Sequence, residues 1–164
     1  MSEAARDPER LERELEEAFK NRALLYWLIY DELRSEIGAA RAETVLARAI
    51  ERRGKEAGAG LFKGVAATPE AMAERFLAVS PAGGRLFPTE VRRDENGGVH
   101  IKVQVCPLKK AWEEAKLPAS EMSTICRIAG RFDNGVFENR GIAFSTETWA
   151  EGTEGCCRLH LERA

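Results

Sequence analysis

Several features are missing from this 164-residue chain, and each absence removes a class of function. The longest apolar run, 23–30, is far too short to cross a bilayer, so no membrane span is expected. The N-terminus is charged and lacks the apolar core of a secretory signal, which predicts a reducing cytoplasmic setting. The 25 Lys and Arg are offset by 27 Asp and Glu, and a net charge of -2 gives no basic surface for nucleic acid. Histidine is scarce: His100 and His160 are the only two, and neither has another histidine three or four residues away. No paired CxxC occurs either, so the usual zinc spacings are absent. Gly54, Gly58 and Gly60 follow a helical pattern rather than a strand, so they read as a helix stop and not as a phosphate loop. There is no G-x-S-x-G elbow, internal repeat or low-complexity segment. The four cysteines are expected as free thiols or metal ligands rather than disulfides.

What remains is a composition able to bury a core, with 44% hydrophobic and 32% charged residues. Length predicts one domain over 9–164, behind a flexible stretch at 1–8. Leu15, Phe19, Tyr26, Tyr30, Leu33 and Ile37 recur at helical steps up to Gly38, and 12–20 reads as a solvated helix face. A second helix carries Ala42, Val45, Leu46, Ala49 and Ile50 on one face, and the two are expected to form an antiparallel hairpin. Thr68-Pro69 starts a third helix. Strands are expected at 86–93 and 99–105 around an Asn96-Gly97 turn, and at 142–149 and 156–162. Between them lie a helix from Pro107 and another from Pro118 to Phe132, ended by Asp133-Asn134-Gly135. The order predicts an α+β fold, with the N-terminal helical hairpin and further helices packed on a small, mainly antiparallel sheet.

Cys106-Pro107 is the most informative dipeptide. It stands where a strand hands over to a helix N-terminus, and backbone N–H groups and the helix dipole stabilise a thiolate there. By strand parity His100 and Cys106 share one face, as do Cys156, Arg158 and His160, so these groups are expected to converge on one surface. Cys126 and Asp133, seven residues apart, lie on one helix stripe. Each has a plainer reading: Cys126 and Cys157 as core, the histidines as solvated side chains, Asp133 as a turn cap, Lys109 and Lys110 as surface charges. A metal site for zinc or iron from Cys106, Cys126, Cys156 and His160 rests on ligand type alone, and no cofactor is otherwise expected.

The chain resembles the L-2-amino-thiazoline-4-carboxylic acid hydrolase family over roughly 19–161. The pieces that carry the resemblance are the apolar helix around Tyr26-Trp27 with its Gly38 break, the strand from His100 to Cys106-Pro107-Leu108 with Trp112, Cys126 followed by Asp133-Asn134-Gly135, and Gly155-Cys156-Cys157. The doublet leaves open which of Cys156 and Cys157 matches the family's cysteine. The resemblance implies ring-opening hydrolysis of a small cyclic amidine. Candidate roles are Cys106 as nucleophile, His100 or His160 as proton shuttle, and Asp133 as orienter of the histidine or activator of water. Arg158 or Lys109 would hold a substrate carboxylate beside Trp112. The competing reading is a cysteine/histidine metal- or small-ligand-binding module without turnover. The expected partner is a small-molecule substrate, together with a second copy of the chain docked through the N-terminal helices.

Overall fold

The computed structural model describes residues 7–164, so most of the flexible stretch expected at 1–8 lies outside the described residues. Helix α1 spans Pro8–Ile37, and the Asp7 side chain accepts a hydrogen bond from the Glu9 N–H at its start. Gly38, at φ 81°, turns the chain directly into α2, Ala39–Leu61. Thr68 caps α3, Pro69–Ala78, as its sequence predicts. A short 3-10 turn, Pro81–Gly84, leads to strand β1, Thr89–Arg93, and β2 follows at Val99–Val103. Helices α4, Pro107–Glu114, and α5, Ala119–Phe137, precede β3, Ile142–Glu147, and β4, Arg158–Arg163. The sheet is antiparallel in the order β1-β2-β4-β3, with helices packed on it, so the fold is α+β.

Two helix ends differ from the sequence reading for one reason. Helix α2 does not stop at Gly54 and Gly58, and α5 does not end at Asp133 but runs on to Phe137. A Cβ on Gly54 would stand 2.1 Å from the Phe132 carbonyl oxygen, and one on Gly58 equally close to that of Val136. Gly135 meets the Glu51 carbonyl in the same way. These glycines let two helix backbones touch, and that contact outweighs their poor helix propensity.

The interior has two clusters. One joins α1, α2, α4 and α5 around Ala23, Ile50, Trp112 and Ile125. The other joins α3, the sheet and the ends of α2 and α5, with Phe137 contacting Phe62 and Phe76 and stacking on Phe144. Phe132 packs against both clusters.

Candidate active site

Strand β2 ends at Val103, two residues earlier than its alternation suggests: Gln104 N–H still donates to the Pro88 carbonyl in register, but Pro88 has no N–H to return, so the ladder stops there. Cys106 is then the N-cap of α4, with Pro107 at the first helical position. Its thiol faces a cavity of about 480 Å³, a size suited to a small molecule. Residues of both clusters line this cavity: Phe19 and Trp112 from the helical side, Ile101, Leu159 and Val136 from the sheet side. The polar and sulfur groups reaching it include Cys106, Cys126, Cys156, Cys157, Asp133 and Lys109.

Both residues of the Cys156-Cys157 doublet reach the cavity because of a β-bulge. Cys156 N–H donates to the Val103 carbonyl at 2.9 Å, and Val103 N–H donates to the Cys157 carbonyl at 2.8 Å. Two residues therefore oppose one, and strict alternation is lost. Parity counted back from His160 thus misplaces Cys156. The sulfurs of Cys156 and Cys157 are 3.8 Å apart.

The surroundings of the thiols shift Cys106 one way and Cys126 and Cys156 the other. The Cys106 thiol is held below its ordinary value, first by the facing Cys156 thiol, then by the backbone N–H groups of Lys109 and Leu108; burial and the nearby Asp133 oppose this. Sγ makes no strict capping hydrogen bond, but these N–H groups lie close enough to favour its thiolate. Cys156 is pushed strongly upward by Cys106, by Cys157 and by burial, so it stays protonated. Burial, with smaller contributions from Cys157 and Cys106, pushes Cys126 up as well. Asp133 sits on the extended α5, and burial alone raises its carboxyl to about 7. It can hold or release a proton near neutral pH.

Lys109 lines the cavity with its Nζ 2.6 Å from Glu113 Oε1 and 5.2 Å from the centre of the Trp149 ring. Trp112 contributes only ring surface, since its N–H is taken by the Ala23 carbonyl at 2.8 Å. Arg22 belongs to the lining and carries no signal in its type; only its spacing from Phe19 and Tyr26, three before and four after, marks a shared helix stripe.

Three candidates do not reach the cavity. Ile101, Val103 and Leu159 line it, so the alternate residues His100, His160 and Arg158 lie on the opposite face of the sheet. There the two imidazoles pair across β2 and β4, Nδ1 to Nδ1, at 2.9 Å. His100 Nε2 meets Asp94 Oδ2 at 3.0 Å, and His160 Nε2 meets Glu147 Oε1 at 2.9 Å. Arg158 lies 3.7 Å from the same Glu147. The expected convergence of histidines and cysteines is therefore corrected, because the bulge and the early end of β2 break the parity it assumed. For the same reason His160 is separated from Cys106, Cys126 and Cys156. No group of three or more His, Cys, Asp or Glu is placed to hold a metal ion among the described residues.

The model of the L-2-amino-thiazoline-4-carboxylic acid hydrolase family matches residues 18–161. The chain belongs to this family. The match spans α1 to β4 and takes in every residue that lines the cavity. No curated protein and no solved structure matches the chain.

Proposed function

We propose that this protein opens the ring of a small cyclic amidine of the amino-thiazoline carboxylate class. In this reading Cys106 is the nucleophile and Asp133 gives and takes the protons. One observation carries it: a thiol shifted toward thiolate and a carboxyl shifted toward the acid share one cavity of about 480 Å³. Two groups with such inverted preferences form an acid and nucleophile pair near neutral pH. The family name supplies the substrate class. Both imidazoles lie across the sheet, so the proton passes to Asp133 instead of a histidine.

The Cys106 thiolate adds to the ring carbon between nitrogen and sulfur, and the ring nitrogen takes the Asp133 proton. The carbon–sulfur ring bond then breaks. Sulfur leaves with its electron pair and takes a proton from the resulting isothiouronium nitrogen, so the carbon stays joined to Cys106 Sγ as a neutral isothiourea. Water gives a proton to the Asp133 carboxylate, adds to that carbon, and expels the Cys106 thiolate. The balance is one water consumed, one carbon–sulfur bond broken, and a carbamoyl group on the product nitrogen. The α4 N-terminus favours the thiolate at the start and end of the cycle, and Lys109 pairs with the substrate carboxylate.

The test is turnover of 2-amino-thiazoline-4-carboxylate by the wild type and by Cys106→Ala and Cys126→Ala. The expected result is loss of turnover by a factor of about a thousand or more in Cys106→Ala, with Cys126→Ala retaining most of it. Full turnover in Cys106→Ala would leave direct attack by water activated at Asp133. Inactive wild type would remove the substrate class.

A further inference from the structure

Independently of the catalytic reading, α1 carries a seam that its own chain leaves uncovered. Leu11, Leu15, Ala18, Arg22, Leu25 and Ile29 are separated alternately by four and three residues, and all are exposed. Leu11, Leu25 and Ile29 are 53%, 49% and 45% exposed, unusual for large apolar side chains on one helix of a folded protein. The alternation is the heptad spacing that forms a coiled-coil seam, and it borders the inward stripe of Phe19, Tyr26 and Tyr30 at Arg22, whose guanidinium carbon lies 4.5 Å from the centre of the Phe19 ring. Glu32 continues the same spacing and is also exposed.

We propose that this seam is an isologous dimer interface, in which α1 of two copies pack antiparallel about a two-fold axis near Lys20. Charge selects the direction. A parallel pair would set Arg22 against Arg22 and Glu32 against Glu32. In the antiparallel pair Leu11 opposes Ile29 of the partner subunit, and Leu15 opposes Leu25 of the partner subunit. Each layer occurs twice by symmetry. All four large apolar residues of the seam are covered, which no shifted antiparallel register achieves; the parallel pair would cover them too, but only by stacking Arg22 on its own copy. Arg22 opposes Ala18 of the partner subunit, whose small side chain leaves the guanidinium room to reach solvent. Glu32 then falls beyond the last apolar layer and no longer faces its own copy. Arg22 is thus the one polar residue in the central layers, a device that fixes register at a cost in stability.

Sedimentation equilibrium of the full chain at micromolar concentration tests this. The expected wild-type species has twice the 18.2 kDa mass of one chain. Leu15→Asp and Leu25→Asp each give monomer, whereas Leu24→Asp, exposed but off the seam, leaves the dimer intact. Arg22→Leu tightens the dimer about tenfold or more, because the central layer becomes apolar. Far-UV circular dichroism checks that each variant folds, and the Arg22→Leu result decides even if an aspartate variant does not. A monomeric wild type, a dimer that survives both seam aspartates, or no tightening in Arg22→Leu overturns the proposal. So does a monomer that co-sediments with phospholipid vesicles, since the seam would then face a membrane surface.

Discussion

Burial sets the protonation of Asp133, and this has consequences for stability as well as rate. In the unfolded chain its carboxyl titrates near 4, whereas in the fold it is raised to about 7. The folded state therefore binds the extra proton between these values, and stability falls as pH rises through that window. The upper bound is on the order of 4 kcal/mol, at about 1.4 kcal/mol per pH unit. Asp133→Asn is expected to remove this slope: thermal melts should show the variant gaining on the wild type from pH 4 to pH 7 and level above it. In turnover the basic limb of the pH profile should lie near 7 and report Asp133 losing its proton. Asp133→Asn should lower kcat by about 100-fold to 10,000-fold and abolish that limb. Part of this site is legible in the sequence: Cys106-Pro107 marks a helix N-cap, and the seven-residue step from Cys126 to Asp133 marks a shared stripe. The protonation of Asp133 is not, because it depends on walls that come from distant segments.

Helix α5 and the last strand show where local signals yield to packing. Gly54, Gly58 and Gly135 look like stops by propensity and act as contact points between two backbones. Gly58→Ala is expected to destabilise by about 3 kcal/mol or more, since its Cβ would stand 2.1 Å from a carbonyl oxygen that cannot move alone. Chemical denaturation of the variant measures this, and Gly60→Ala, with open space around it, is the contrasting case. The Cys156-Cys157 bulge is equally invisible to alternation, which assumes one residue per step. It is the reason Cys156 and His160 part company. The histidine chain from Asp94 to Glu147 joins β2, β3 and β4 on the face away from the cavity. His160→Gln is therefore expected to change kcat by less than about twofold while costing about 1 kcal/mol in a denaturation curve. A large loss of turnover in this variant would return the histidine to the mechanism.

At the scale of the molecule, the cavity lies where the helical cluster and the sheet cluster meet, and neither alone forms it. The helical hairpin, the antiparallel sheet and their order were readable from periodicity and turn residues, because those signals are local. The meeting of the two clusters was not, since it pairs residues such as Phe19 and Leu159 that are far apart in the chain. A ligand seated there should tie the clusters together. At about 100 times its dissociation constant it adds about 2.7 kcal/mol, which differential scanning fluorimetry should read as a rise in melting temperature of about 5–10 °C. The central claim is that Cys106 bonds to the substrate carbon, and acid-quenched mass spectrometry tests it most directly. With 2-amino-thiazoline-4-carboxylate, quenched at successive times with the wild type and with Asp133→Asn, the account predicts a substrate-sized adduct on the peptide that carries Cys106. Turnover by the wild type with no adduct in either protein, and undiminished turnover in Cys106→Ala, would contradict it.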